Sequence, residues 1–451
     1  MADIHRLETL RPLGKLEQAA AYCHHVGFFK NVGLSAHYKL TELSPAVSNL
    51  RGLIYAAIRA VVREHRILVA IPVNEGAASP HFASLPSIDL DPTVAFLQRS
   101  DPKPEAALGE DKELDAVLEY QHNIDFKSAH GTLPFWRLII LHSPGSRNEF
   151  TASFIYHHAI GDGVSGAGNI ILVDKNTSVL PPLETLHPLP INPSAAPSSS
   201  MNPEEWTGGF IRTQCKSRWT SIYLSPNHSR HFIQECKEKN ISVTSALTSM
   251  VATILFENLP SDVEAVTCII PINLRPWLRL PRQIANGAIG SYFDVTRARL
   301  RRPARNLPDN APANIWSGAA EVSTAINDYR GNVSPSGEPY TSVAIFNTIS
   351  DVPAIFKGMV GKPRDAALEV TNVGVFSRAT TSITEKACVW HVTKVLLSRS
   401  CAITGAAVTV SVATDEDGTM ALGFSWQEGV VESSFVDNVR QGMRDYMQRN
   451  H

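Results

Sequence analysis

The stretch EFTASFIYHHAIGDG, residues 149–163, joins an alternating apolar segment to two adjacent histidines and an aspartate between glycines. The alternation over 149–155 predicts a strand, and the glycines that follow predict that it ends in a turn. The histidines therefore stand at a strand end, where a turn can present one imidazole to a cleft. An imidazole has an ordinary pKa of about 6.5, which suits it to proton transfer near neutral pH.

Composition and charge exclude some classes of function. The 451 residues are 43% hydrophobic and 19% charged, as in an ordinary globular protein, and the length predicts two or three domains. A net charge of −2 gives no general attraction for nucleic acid or an anionic membrane, and no zinc spacing or long basic run appears. We therefore expect small-molecule partners and no nucleic acid.

The cysteines and the N-terminal sequence bear on the cellular compartment. Six cysteines are scattered without a CxxC pair, which predicts a reducing compartment and no disulfide framework. Residues 1–18 lack the apolar core of a secretion signal, and no apolar run approaches the ~20 residues that cross a bilayer. These features predict a soluble cytoplasmic protein without a transmembrane segment, and we expect a monomer.

Strand and helix patterns alternate in both halves of the chain, which predicts an α/β fold. The predicted helices are 16–26, one that follows Ser44 with Pro45 at its first position, 229–239, 245–256, 313–329 and 431–448. The predicted strands are 67–71, 134–141, 149–155, 264–270, 367–376, 387–397, 402–413 and 420–426. Residues 181–205 are rich in proline and serine, so we expect a linker or crossover between an N-terminal lobe (1–180) and a C-terminal lobe (206–451).

The HHxxxDG spacing of His157, His158, Asp162 and Gly163 resembles the motif of CoA- and carrier-protein-dependent acyltransferases. That superfamily includes chloramphenicol acetyltransferase, the plant BAHD enzymes, condensation domains and fungal alcohol acetyltransferases. Further similar segments are RPLGKLE at 11–17, LPFWRL at 133–138, PINLRP at 271–276, GSY at 290–292 and TNVGVF at 371–376. The DFGWG motif of the plant branch is absent, so the resemblance favours the fungal alcohol acetyltransferases.

The resemblance implies two chloramphenicol acetyltransferase-like lobes, each a mixed β-sheet with helices, which meet at an active-site channel. It implies an O-acyltransferase that uses acetyl-CoA or another acyl-CoA as cosubstrate and holds no permanent cofactor. The acceptor would be a hydroxyl of a hydrophobic alcohol or secondary metabolite. His158 would take the hydroxyl proton as the oxygen attacks the thioester, without a covalent acyl-enzyme. The alternative is a strand-end histidine that bonds only the backbone.

His157 is expected to point to the opposite face from His158, because side chains alternate along a strand. It is therefore a candidate supporting residue rather than a second base. We predict no metal site at the histidine pair. Adjacent strand residues cannot converge on one ion, and no third ligand lies nearby in the sequence.

In the superfamily the motif aspartate is structural and pairs with an arginine, which implies that role for Asp162. The physical reason is that a buried carboxylate needs a partner. The candidate partners are Arg66, in a segment similar to the RHExLR of condensation domains, and Arg275 in the PINLRP segment. We rank Arg66 first. A solvated Asp-Gly turn is the alternative.

Two further segments supply candidate channel residues by resemblance. In the family the TNVGVF strand lies near the active histidine, so Asn372 and Thr371 are candidates for stabilising the tetrahedral oxyanion. A plain strand with a glycine bulge is the alternative. The GSY segment borders the channel in the family, which places Tyr292 there, although Ser291 replaces the usual asparagine.

One local cluster of arginines remains, formed by Arg297, Arg299, Arg301, Arg302 and Arg305. It could bind the phosphates of CoA, or the phosphopantetheine and acidic face of an acyl carrier protein. A solvated face is the commoner explanation of such a cluster. Two other functions therefore stay open: a carrier-protein-dependent, condensation-type acyltransferase, and a catalytically silent binding member of the fold.

Overall fold

The computed structural model describes residues 4–40, 49–100, 109–146, 148–165, 179–192, 205–303, 314–376 and 390–449. Its strands are β1 Glu8–Pro12, β2 Val32–Leu40, β3 Ala70–Val73, β4 His81–Ser84, β5 Val94–Gln98, β6 Trp136–His142, β7 Glu149–Tyr156, β8 Ser217–Leu224, β9 Ala265–Asn273, β10 Phe293–Arg301, β11 Leu368–Val375, β12 Trp390–Arg399, β13 Val408–Thr414 and β14 Met420–Gln427. Its helices are α1 Lys15–His25, α2 Leu50–Glu64, α3 Leu90–Thr93, α4 Lys112–His122, α5 Leu183–Leu186, α6 Pro226–Glu238, α7 Val243–Asn258, α8 Arg282–Asn286, α9 Trp316–Gly331, α10 Val352–Met359 and α11 Ser433–Arg449. The chain is mixed α/β, as the sequence predicts.

The first large sheet places the histidine strand at its centre. Its order is β12-β2-β7-β6-β5, and β7 runs antiparallel to both of its neighbours. Phe154 of β7 lies opposite Leu34 on one side and Leu138 on the other. Because alternate side chains share a face, this register sends successive residues of β7 to opposite sides of the sheet.

The second large sheet has the order β10-β9-β11-β13-β14-β8, with β9, β11 and β13 parallel. Helix α7 covers it and is buried along almost its whole length, with α9 and α11 packed beside it. A smaller three-stranded sheet has the order β1-β4-β3. The predicted two-lobed mixture of sheets and helices is therefore present.

The predicted lobe boundary does not separate the two large sheets. Strand β12 comes from the C-terminal half of the chain but pairs with β2 along its length, from Trp390 opposite Leu40 to Arg399 opposite Val32. The N-terminal sheet is thus completed by a strand from residues 206–451. Sequence alternation predicts that β12 is a strand, but it contains no information on which sheet the strand joins.

Several local predictions change in the structure. Residues Arg66–Val69 form a 3₁₀ turn before the short strand β3, where one strand over 67–71 was predicted. Helix α2 begins at Leu50 with Asn49 as its cap. Strands β1, β2, β4, β5, β8 and β10 and helix α4 were not predicted. Pro45, Arg305 and most of the proline-rich segment, 193–204, lie outside the described residues.

The described helices include none that is, by itself, both long and apolar enough to cross a membrane. Helices α6 and α7 meet that criterion only as a pair, across a bend of 104°.

Candidate active site

The histidine turn begins where β7 ends. The His157 N–H donates to the carbonyl of Phe135 at 2.9 Å, and this is the last backbone hydrogen bond between the two chain segments that form β6 and β7. The Ile160 N–H then donates to the carbonyl of His157 at 3.0 Å, so the chain turns immediately after the sheet. This turn places the His157 and His158 side chains in different surroundings.

The His158 ring contacts two aromatic rings. Phe293 stacks on it with centroids 5.4 Å apart, and Phe29 is 5.5 Å away. Its Nδ1 lies 3.1 Å from the Gly161 carbonyl, which can only accept, so Nδ1 carries the proton and Nε2 keeps its lone pair. Burial, assisted by the charge of Arg399, lowers the pKa of His158 below its ordinary value. The imidazole is therefore neutral near pH 7.

His158 lines a cavity whose walls come from both large sheets. The other lining residues are Val32, Asp162, Gly163, Val164, Pro271, Ile272, Asn273, Arg275, Phe293, Glu369, Thr371, Asn372, Val373, Leu397 and Arg399. Gly163 allows a close approach there, because a Cβ on it would lie 3.3 Å from Val373 Cγ1. The cavity wall is a mixture of apolar side chains and hydrogen-bonding groups.

Asp162 is buried and paired with Arg275. The two guanidinium Nη atoms donate to the two carboxylate oxygens, each at 2.9 Å. The backbone N–H groups of Tyr292 and Ser165 also donate to the carboxylate, both at 3.0 Å. Burial alone would raise the pKa of Asp162, but Arg275 and these hydrogen bonds outweigh it and lower the pKa. The aspartate is thus ionised and joins the histidine turn to the segment after β9.

The prediction that Arg66 is the partner of Asp162 is wrong. Its guanidinium contacts Glu8 at 3.1 Å on the surface, where 42% of the Arg66 side chain is exposed. Arg275 is 113 residues from Asp162 in sequence, so only the fold brings them together. Tyr292 is also displaced from its expected place: its ring packs on Arg275 and its hydroxyl donates to the Pro181 carbonyl, away from the cavity lining.

Ser291 has a contact that the sequence did not reveal. Its hydroxyl donates to the backbone carbonyl of His158 at 2.9 Å. It stands at the position where the family's usual asparagine is replaced, so the resemblance marked the position without giving its role. The GSY segment therefore holds the histidine turn through Ser291 and the carboxylate of Asp162 through Tyr292.

His157 belongs to a buried cluster with His24 of α1 and Glu75, which follows β3. His24 Nδ1 lies 3.0 Å from Glu75 Oε1, and His157 Nε2 lies 3.3 Å from the same oxygen. All three residues are at most 7% exposed. Burial, with the neighbouring His24, lowers the pKa of His157 to about 4. Burial would raise the pKa of Glu75, but hydrogen bonds from the two imidazoles lower it.

The spacing of this cluster corrects the reason given against a metal site. His24, Glu75 and His157 offer ligand atoms within 4.8 Å of one another, although they are distant in sequence. The ring nitrogens turned away from Glu75 accept hydrogen bonds, His24 Nε2 from the Phe126 N–H and His157 Nδ1 from the Ala159 N–H. The nitrogens that face Glu75 must then carry protons, whereas a metal ligand needs a lone pair there. The arrangement fits a carboxylate that accepts from His24 and lies 3.3 Å from His157 Nε2 better than a metal centre.

The two oxyanion candidates lie on the cavity wall, and each already donates one hydrogen bond to a protein group. Thr371 Oγ1 donates to Glu369 at 2.9 Å. Asn372 Nδ2 donates to Thr244 Oγ1 at 3.1 Å, and its oxygen accepts from the Gly374 N–H. Because an amide nitrogen has two protons, Asn372 retains one donor, while the single hydroxyl proton of Thr371 is in use.

Arg297, Arg299 and Arg301 of the arginine cluster lie on β10, at the edge of the second sheet, and Arg302 follows it; none of these four lines the cavity. Arg297 pairs with Asp365, and Arg299 pairs with Glu205. Arg302 donates to backbone carbonyls after α7, including that of Val263 at 2.7 Å. Arg301 is exposed. These contacts hold the edge of the sheet, and the structure does not bring the four described arginines to the cavity of His158.

Comparison with known proteins identifies close and distant relatives. The chain is 59% identical to the probable alcohol acetyltransferase crmB of Aspergillus fumigatus, over 97% of this chain and 99% of that protein. It is 22% identical to the probable alcohol acetyltransferase FCK4 of Fusarium pseudograminearum, over 87% and 84% of the two chains. No protein-family model matches the sequence.

Solved structures share the fold at low sequence identity. The TRI3 trichothecene 15-O-acetyltransferase of Fusarium sporotrichioides has a TM-score of 0.68 at 11% identity, covering 97% of this chain and 94% of its own. The condensation domain of the monacolin K polyketide synthase MokA has a TM-score of 0.58 at 14% identity, covering 98% and 96%. These structures show the fold, and the near full-length relative shows that this chain is an acyltransferase and belongs to the alcohol acetyltransferases.

Proposed function

We propose that the chain transfers an acyl group from acyl-CoA to an alcohol, with His158 as general base. The observation that supports this most is the His158 Nδ1 bond to the Gly161 carbonyl, which leaves Nε2 as a proton acceptor on a residue of the cavity wall. An acetyl donor is proposed because both curated relatives are named alcohol acetyltransferases.

In this mechanism the chain's residues move one proton. His158 Nε2 accepts the hydroxyl proton as the alcohol oxygen attacks the thioester carbonyl. The C–S bond then breaks, the thiolate takes the proton from the imidazolium, and the products are an ester and CoA. The remaining N–H of Asn372 would stabilise the oxyanion, and the Asp162–Arg275 pair would hold the turn.

Substitution of His158 tests the proposal. We expect His158→Ala to lower kcat by roughly 10²–10⁴-fold with acetyl-CoA and an alcohol panel, measured as free thiol released and ester mass formed. His142→Ala is the matched control, because His142 ends the neighbouring strand and does not line the cavity. Near-normal turnover by a folded His158→Ala protein would reject the assignment.

The donor and the pH dependence give two further readouts. Turnover with an acyl carrier protein thioester but not with acyl-CoA would replace the proposed donor. Since the pKa of His158 is lowered, the acidic limb of kcat/KM should lie below the ordinary imidazole value of 6.5. An acidic limb above 6.5 would contradict a neutral base in the resting enzyme.

A further inference from the structure

Besides Asp162 and Arg275, two further charged residues share the cavity wall with His158. Glu369 lies on β11 and Arg399 is the last residue of β12, so each large sheet contributes one of them. They form an ion pair whose side chains are only 11% and 14% exposed. Removing charges from water is expensive, so a nearly buried ion pair at a substrate cavity calls for an explanation beyond surface charge.

The hydrogen-bonding capacity of this pair is not used up. Both contacts to the carboxylate, from Arg399 Nη1 and from the Thr371 hydroxyl, end on Glu369 Oε1. Among the described residues, no donor reaches Glu369 Oε2, and Arg399 donates through Nη1 while its buried Nε has no partner. One side of the pair can therefore accept a hydrogen bond and the other can donate one. A hydroxyl group both donates and accepts, and so complements this arrangement.

The pair also lies close to the proposed base. The Arg399 guanidinium stands over the Phe29 ring, 5.2 Å from its centroid, and the Phe29 ring is 5.5 Å from that of His158. Since His158, Glu369 and Arg399 all line the same cavity, a single small molecule with two polar groups can reach the base and the ion pair together. The apolar lining, which includes Val32, would surround the rest of it.

We propose that Glu369 and Arg399 bind a second hydroxyl of the acceptor, next to the hydroxyl that His158 deprotonates. The preferred substrate class is then a vicinal diol or polyol rather than a simple alcohol. This inference rests on the proposed function and adds the chemistry of the acceptor. Sites built to hydrogen-bond a substrate hydroxyl discriminate strongly against analogues without it, because buried polar groups are left unpaired.

The competing explanation is a purely structural ion pair that ties β11 to β12. It predicts that removing the pair harms stability and lowers the rates with all acceptors alike. The two explanations therefore differ in the ratio of rates between matched acceptors, not in the rates themselves.

The test uses acetyl-CoA with 1,2-octanediol and 1-octanol, which differ by one hydroxyl. For the wild type we expect kcat/KM to be roughly 10- to 100-fold higher with the diol. Glu369→Gln and Arg399→Gln should bring this ratio to within about threefold of one, and Arg399→Lys should retain part of it. Lys216→Gln, which removes an exposed ion pair with Glu428, should leave the ratio unchanged.

The outcomes separate the inference from the proposed function. Equal wild-type rates with the two alcohols, or variants that lose both rates in proportion, overturn the role of Glu369 and Arg399 and leave acyl transfer standing. Absence of transfer to any alcohol contradicts the proposed function itself. A ratio that collapses in folded variants supports the second-hydroxyl site.

Discussion

Two buried carboxylates flank the histidine turn, and they are stabilised in different ways. Asp162 faces a full cation, the guanidinium of Arg275, and both partners are at most 4% exposed. Glu75 lies between His24 and His157, whose other ring nitrogens each accept a hydrogen bond from a backbone N–H group. One site is a charge-balanced pair that joins two halves of the chain, and the other is a carboxylate stabilised by hydrogen bonds within the N-terminal half.

The difference shows how the two sites would respond to change. Removal of the cation from the first leaves an uncompensated buried charge, which is among the largest single-residue penalties. Glu75 has no guanidinium partner, so removal of one of its imidazoles takes away hydrogen bonds rather than a full countercharge. It should also be the more sensitive to protonation, because histidine titrates closer to neutral pH than aspartate.

The largest effect is expected at Arg275. Arg275→Met should destabilise the protein by about 3–5 kcal/mol, because Asp162 remains charged in the interior. Urea unfolding followed by fluorescence measures the change. The double variant Asp162→Leu with Arg275→Met should lose less than Arg275→Met alone. A single variant within about 1 kcal/mol of the wild type would contradict the role of this pair.

Acid should separate the two sites. The ordinary pKa of His157 is 6.5 and burial lowers it to about 4, so the unfolded chain binds this proton before the folded one does. Stability from the neutral imidazole is present above pH 6.5 and is lost as pH falls toward 4, by about 3 kcal/mol at most. The pKa of Asp162 is lowered from 3.8, so its contribution is lost only below that pH.

This pH dependence is measured as the unfolding free energy between pH 7 and pH 4. Other buried histidines, such as His122, add to the total, so the relevant quantity is the wild type minus His157→Asn. We expect the variant to lose less stability than the wild type across this interval. Identical slopes for the two proteins would show that His157 is already protonated in the folded state.

Glu75→Gln should have a smaller effect than Arg275→Met. The amide oxygen can keep the contacts of Oε1 with both imidazoles, but the NH2 group replaces Oε2 and turns a donor toward the His24 N–H, which should cost about 1–3 kcal/mol. Chelation provides the control for the hydrogen-bonded assignment. If this cluster held a divalent metal, a chelator would destabilise the wild type and have little effect on Glu75→Gln, and the assigned ring protons would then be wrong.

The sequence predicted what depends on local pattern. Alternation over 149–155 predicted a strand, and the glycines after it predicted a turn. The structure confirms both, because β7 spans Glu149–Tyr156 and a backbone hydrogen bond closes the turn directly after it. The resemblance indicated the family, and the close relative confirms it. The positions of His158 and Asp162 at the end of one strand follow from the same short stretch.

What the sequence could not predict depends on contacts between distant residues. His24 lies on α1 and Glu75 in a loop after β3, and no spacing rule connects either of them to His157. The same holds for β12, whose pattern predicts a strand without its sheet, and for the choice between two arginines as partner of Asp162. Tertiary packing decides all three, and a single sequence contains no direct record of it.

The smallest effect is expected at Arg66, the partner that the sequence had favoured. Its ion pair with Glu8 is exposed, at 42% and 67% of the two side chains, and such pairs contribute about 0–1 kcal/mol. Arg66→Ala should therefore change the unfolding free energy by less than about 1 kcal/mol and leave the acetylation rate near that of the wild type. The measurement is the same urea unfolding, with Arg275→Met alongside as the matched arginine deletion. If both variants were destabilised equally, burial would not be what distinguishes the two arginines, and the contrast between a surface pair and the pair behind His158 would fail.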